Sequence, residues 1–232
     1  MVQIAATLLN PIPKCHQSQL GYDGKVLDCI PKSSILGLGC GAPINYANLK
    51  AGEFVVDLGS GAGIDAFLAS RQVKDNGKVI GIDFTDAMLR KATSAAKENG
   101  FTNVEFLKGD IEDIIPVDND SVDVAISNCV INMTTDKVRT FKEVYRILKK
   151  ERKGRMLISD LVTSKEIHRE SVNAEDWCSC IDGALTRENY IYSIKEAGFQ
   201  NVRTLSEKLY MDEDKTNGRK ITSLVIEAVT GH

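Results

Sequence analysis

Val55-Val-Asp-Leu-Gly-Ser-Gly-Ala-Gly63, VVDLGSGAG, decides the fold. Its first half has the apolar, β-branched composition of a buried strand, its second half is a glycine-rich turn, and GIDAFLASRQV behind it reads as a helix. Gly59, Gly61 and Gly63 let the backbone turn tightly and come close to a ligand, where a Cβ would intrude. Such a turn alone is a weak signal, because ordinary strand-to-helix connections use glycine too. Two carboxylates strengthen it. Asp83 closes the next strand, 20 residues after Gly63, where an acid can take both hydroxyls of a ribose. Asp57 is expected inside the turn itself.

Working outward, strands and helices alternate. KVIGID is a strand, and TDAMLRKATSAAKENG a helix with Thr85 as N-cap and Gly100 just past its end. NVEFLKG and SVDVAIS read as strands buried on both faces. In TTDKVRTFKEVYRILKK, the spacing of Val138, Phe141, Tyr145 and Leu148 turns one helical stripe toward the sheet. RMLISDLV is a fifth strand, the stretch around EDWCSCIDGAL is irregular, and RENYIYSIKEAG is a helix ending at Gly198. NVRTLSEKLY and ITSLVIEAV leave no room for a helix between them and should pair antiparallel. Upstream, SSILGLGCGAP is irregular, NYANLKAG gives a short helix or turn, and residues 1–20 read as a partly ordered arm. The expected fold is α/β, a doubly wound, mostly parallel seven-stranded sheet of Rossmann type with a final antiparallel strand.

A chain of 232 residues, 43% hydrophobic, suits one domain with appendages. A net charge of −3 offers no attraction to nucleic acid, and the one basic run, KKERKGR, reads as a solvated turn. No apolar span reaches the length of a membrane helix, and the first basic residue is Lys14, a poor signal-peptide pattern. These features predict a cytoplasmic protein with no nucleic-acid or membrane partner. In a reducing compartment six cysteines point to metal binding or catalysis, or else to small buried packing residues.

The acids discriminate between cofactors. A pyrophosphate needs bare helix N-termini and would be repelled by Asp57. S-adenosylmethionine has no phosphate and carries an ammonium and a sulfonium, so the loop favours the methyl donor. Gly109-Asp110-Ile111 ends the following strand where an adenine edge can be met, although Asp110 reads equally well as a turn cap.

VDLGSGAGID, VIGIDFT, GDIEDIIP, SNCVIN, YRILK, ISD and AGFQNV occur in the order and spacing of class I S-adenosylmethionine methyltransferases, over roughly residues 34–205. Within that superfamily LGLGCGAP, NLKAGE, GSGAGID, SNCVIN and WCSCIDGAL resemble the arsenite methyltransferase family. The resemblance implies a methyltransferase domain over 34–232 with residues 1–33 as an N-terminal arm and cover. It implies cofactor contacts at Asp57, Gly59, Ser60, Gly61, Gly63, Asp83, Phe84, Thr85, Met88, Gly109, Asp110, Ile111 and Asn128. It also implies that Cys129 and Cys180 hold trivalent arsenic as thiolates, with a thiol reductant as partner. An adjacent Cys-Cys pair common upstream in the family is absent, so the third thiol falls to Cys15 or Cys178. Cys40 and Trp177 read as packing residues, and Cys29 as incidental.

Ligands of open α/β sheets bind at the carboxyl ends of the strands, where the order reverses. SNCVIN begins at the end of the fourth strand, so Cys129 is expected beside the cofactor's methyl. Soft thiolates select a thiophilic centre, and trivalent arsenic held by thiolates keeps a lone pair for an in-line attack. Two other readings compete: methylation of an organic acceptor such as a quinone precursor, and a non-catalytic zinc site built from Cys129, Cys178, Cys180 and His16 or His168.

Overall fold

The computed structural model describes residues 21–166, 180–216 and 218–231. Its sheet contains β1 (Phe54–Leu58), β2 (Lys78–Asp83), β3 (Val104–Lys108), β4 (Val124–Asn128), β5 (Arg155–Thr163), β6 (Asn201–Met211) and β7 (Ile221–Val229), in the order β3-β2-β1-β4-β5-β7-β6. The first five pair in parallel, and β7 runs antiparallel to both β5 and β6. The expected doubly wound sheet and its antiparallel closing strand are both present.

Helices α1 (Gly24–Leu27), α2 (Ile64–Val73), α3 (Asp86–Glu98), α4 (Lys137–Ile147) and α5 (Arg187–Glu196) complete the fold. Because side chains alternate along a strand, β1 sends Val55 to one face and Val56 and Leu58 into the cluster on the other. The first face packs Val79, Val124, Ile126 and Leu157 under Phe67 of α2. The second packs Ile80, Ile82 and Ile158 under Phe141 and Val144 of α4 and Tyr190 and Ile194 of α5. Tyr22, Leu27 and Ile30, from the segment before residue 34, are buried in the first cluster.

Two local expectations need correction, and a third, the N-cap at Thr85, holds in position without a side-chain bond. β3 is an edge strand bonded to β2 alone, and Glu105 and Lys108 are exposed, so it is not buried on both faces. The stripe of α4 runs through Thr140, Phe141, Val144 and Ile147; Val138 and Tyr145 are half-buried. Asp136 caps the helix by accepting from the Arg139 N–H, and the Tyr145 ring sits edge-on to Phe199 at the stripe's border, with centroids 5.1 Å apart. Thr85 occupies the N-cap of α3 but makes no side-chain cap; its own N–H is taken by Asp83 Oδ1 at 2.8 Å.

Candidate active site

β1 and β4 are neighbours whose connections leave in opposite directions, so their carboxyl ends form the switch point of the sheet. Asp57 lies there, inside β1 rather than in the turn, facing Gly81 and Ile126 in register. It is 3% exposed and one carboxylate oxygen, Oδ2, is buried without a hydrogen-bond partner. Beside it is Asp65, in the first turn of α2, equally buried. The Tyr22 hydroxyl donates to the Asp65 carboxylate, 2.9 and 2.8 Å from its two oxygens, and Asn128 Nδ2 approaches one of them at 3.2 Å. Burial, and then the charge of Asp65, push the Asp57 carboxyl well above the usual carboxylate range, and burial lifts Asp65 to about 6 against the pull of its Tyr22 and Asn128 hydrogen bonds. Two buried carboxylates sharing one pocket are a demand for a cation, and the ammonium of S-adenosylmethionine fits it.

Asp83 ends β2 as expected. Its carboxylate accepts from the Gly61 N–H at 2.9 Å and the Thr85 N–H at 2.8 Å, tying the glycine turn to the next strand. A carboxylate has about four acceptor positions, so about two remain, the number a ribose diol uses. Gly61 has φ +54 and nothing within 4 Å of where a Cβ would stand, which leaves its face of the turn open to a ligand. Phe84, 53% exposed, offers an aromatic surface next to the acid, and Met88 is half-buried in the first turn of α3. Asp110 is engaged as a turn cap, accepting from the Glu112 N–H at 2.9 Å, and Ile111 is buried behind it. Gly109 donates to the Asp83 carbonyl at 3.1 Å. The Ser60 hydroxyl is buried with no hydrogen-bond partner. Gly59 and Gly63 both take positive φ in the turn.

Asn128 reaches the same end, but its amide is spent within the protein. Nδ2 donates to Tyr22 Oη at 2.9 Å and the Gly41 carbonyl at 2.8 Å, and Oδ1 accepts from the Cys40 N–H at 3.1 Å. It therefore joins the buried acids to the glycine-rich segment 33–43. That segment approaches β5 very closely: a Cβ on Gly41 would stand 2.1 Å from Ser159 Oγ. Glycine at this position seats Cys40 against the sheet.

Here the structure departs from the sequence reading. Cys40 is buried as a packing residue should be, but it is packed in one cluster with Cys180, against which Cys129 lies. Cys129 directly follows β4, its N–H donating to the Ser159 carbonyl at 2.8 Å, and its sulfur lies within 4.8 Å of that of Cys40. Cys180 Sγ donates to the Cys129 carbonyl at 2.8 Å. Cys129 and Cys180 both hold left-handed backbone, φ 62 and 66, rarely adopted by non-glycine residues. The neighbouring thiols and burial push the Cys129 thiol well above its ordinary value, and burial does the same to Cys40. Such thiols are poor free nucleophiles, and suit a centre that displaces their protons on binding. Asp160 of β5, lifted to about 6 by burial, borders the cluster. Cys15, His16, His168, Trp177 and Cys178 lie outside the described residues, and Cys29 is exposed and apart.

Sequence reasoning missed Tyr22, Asp65, Cys40 and Asp160. For two of them a signal existed: Asp65 stands two residues after the last glycine of the turn, and Cys40 is flanked by glycines, the mark of a backbone pressed against another.

The chain matches the family described as a methyltransferase domain over residues 49–198. It is 38% identical over 217 residues to an arsenite methyltransferase of Halobacterium salinarum, covering 90% of this chain and 55% of that protein. It is 33% identical over 177 residues to an arsenite methyltransferase of Homo sapiens, covering 72% of this chain and 47% of that one. The chain thus spans about half the length of these curated relatives. The crystal structure of an arsenic(III) S-adenosylmethionine methyltransferase from Chlamydomonas reinhardtii superposes with a TM-score of 0.73 at 30% identity, covering 91% of this chain and 72% of that one. The sheet order, the acids at its switch point and these matches agree: the chain belongs to the methyltransferase-domain family and is a relative of the arsenite methyltransferases.

Proposed function

We propose that this protein transfers a methyl group from S-adenosylmethionine to trivalent arsenic held by Cys40, Cys129 and Cys180. The observation that carries the reading is the convergence of three thiols from separate segments beside a pocket of buried carboxylates. An organic acceptor such as a quinone precursor would make no use of that convergence. Similarity to the arsenite methyltransferases supports the same acceptor.

Loading the acceptor exchanges ligands. Each thiol forms an As–S bond as a hydroxide of arsenite leaves with the thiol's proton as water. Three such bonds leave a pyramidal centre with a lone pair, and three sulfurs fix its direction. At the other end, Asp57 would hold the ammonium of S-adenosylmethionine, Asp83 its ribose hydroxyls, the open face of Gly61 its backbone contacts, and Phe84, Met88, Asp110 and Ile111 its adenine. When bound, this cofactor supplies a methyl group on a sulfonium, which a lone pair accepts as the C–S bond breaks. No protein base is required, since the arsenic lone pair carries no proton. What the chain contributes is alignment of acceptor and methyl, an effect worth up to about 7–11 kcal/mol.

Further parts of the reading are proposals of the same kind: residues 1–33 act as a cover over residues 34–232, the protein works in the cytoplasm, and a small thiol reduces the product. Free thiols among the described residues and a centre that needs them reduced support the compartment and the reductant. Among the described residues no helix is long and apolar enough to cross a membrane. The test is direct: the protein, labelled S-adenosylmethionine, arsenite and a thiol should yield methylated arsenic, and absence of product with intact cofactor binding would overturn the acceptor.

A further inference from the structure

We infer that the thiol cluster is also a binding site for a soft divalent cation of the zinc and cadmium type, with Asp160 as the ligand that arsenic does not use. One sulfur each from Cys40 and Cys129 and one carboxylate oxygen of Asp160 lie within 4.8 Å of one another. In a tetrahedral zinc site with metal–sulfur bonds near 2.3 Å and metal–oxygen bonds near 2.0–2.2 Å, donors stand roughly 3.5–3.8 Å apart, so this trio needs to contract by only about 1 Å. Cys180, whose thiol donates to the Cys129 carbonyl at 2.8 Å in this structure, is the adjacent fourth donor and would turn its sulfur toward the ion on binding. Trivalent arsenic takes three sulfurs and keeps a lone pair where a fourth ligand would be, whereas zinc requires that fourth ligand. The two centres therefore share the thiols and differ in Asp160.

The environment of Asp160 is that of an oriented ligand. Its oxygens accept from the Asn132 N–H at 3.1 Å, the Leu161 N–H at 3.0 Å and the Tyr190 hydroxyl at 3.0 Å. Of about four acceptor positions three are filled, and one is left. Metal-binding carboxylates are held by such outer hydrogen bonds, whose loss costs about 10–100-fold in affinity. Three soft sulfurs exclude magnesium and calcium, which take oxygen. The consequence is regulatory: zinc or cadmium would occupy the acceptor site and compete with arsenite. This competition rests on the arsenic reading; the cation site itself does not.

The experiment uses the full reduced chain without cofactor turnover. Zinc affinity is measured against a chromophoric chelator, and arsenite affinity by sulfur-to-arsenic charge-transfer absorbance. Asp160→Asn should weaken zinc at least about tenfold, while arsenite affinity changes less than about threefold. Equal loss of both, or unchanged zinc affinity, overturns the inference. Should Asp160→Asn fail to fold, cadmium NMR of the unaltered chain decides: a shift for three sulfurs and one oxygen supports the site, and a four-sulfur or an oxygen-rich shift overturns it. A chain that binds zinc through Asp160 but takes no arsenite would refute the arsenic reading and leave this inference standing.

Discussion

The acids at the cofactor end and the thiols at the acceptor end lie at one edge of the same sheet, yet they are assembled differently. Asp57, Asp65 and Asp83 come from a single β1-α2-β2 unit, and their spacing is set by one turn and one strand register. Cys40, Cys129 and Cys180 come from the glycine-rich segment before β1, the end of β4 and the stretch before α5, and meet only when the whole sheet is formed. One half of the site is local geometry; the other is a product of tertiary folding. Substitutions should therefore separate the halves, because in the proposed function each binds its own ligand with its own donors.

The largest separation is expected from the thiols. Replacing Cys40, Cys129 or Cys180 by Ser puts a hard, protonated hydroxyl where a thiolate is needed, so arsenite methylation should fall by about 100-fold or more. Cofactor affinity, followed by calorimetry, should change less than about threefold. Wild-type turnover in Cys40→Ser would return the third thiol to a residue outside the described ones.

Asp57→Asn attacks the other half. Hydrogen bonds to charged groups are worth about 1.5–3 kcal/mol, so S-adenosylmethionine affinity should drop at least about tenfold with arsenite affinity intact. Joint loss of both would show that the halves are not independent.

A pH titration of stability comes next in size. Burial lifts Asp65 from the usual carboxylate range to about 6, so the ligand-free fold binds protons that the unfolded chain releases near about pH 4. Its stabilising contribution is complete below pH 4 and is lost as pH rises through about 6, on the order of 2–3 kcal/mol. Asp160, also lifted to about 6, gives the same sign at the thiol end. Thermal melts from pH 4 to 7 should fall more steeply without S-adenosylmethionine than with it. An equal slope would mean that the cofactor's ammonium does not meet these acids.

The smallest effect is expected from Tyr22→Phe, which removes the phenol hydroxyl from Asp65 and from Asn128 Nδ2. A loss of about 1 kcal/mol of stability and a few-fold loss of cofactor affinity are predicted, measured by denaturation and calorimetry.

This difference in assembly also explains what was legible in the sequence. The alternation of elements, the glycine turn and Asp83 are written in consecutive residues, and they were readable as a doubly wound fold with an acid closing its second strand. The position of Cys129 was readable because it abuts the end of a recognisable strand. Cys40 was legible only in part: its flanking glycines mark a close backbone approach, but nothing in LGLGCGAP states that Gly41 will press against Ser159. The edge exposure of β3 and the phase of α4 were misjudged for a related reason. Strand order determines the first, and in α4 two apolar stripes share Phe141, between which spacing alone does not choose.

The left-handed backbone at Cys129 and Cys180 bears on how such a protein persists. Each costs roughly 1–2 kcal/mol relative to ordinary conformations, a strain that glycine would relieve at once. Drift toward greater robustness would thus favour glycine or asparagine at both. A lineage freed from a thiol-bound acceptor should keep the sheet and its acids while these two positions change.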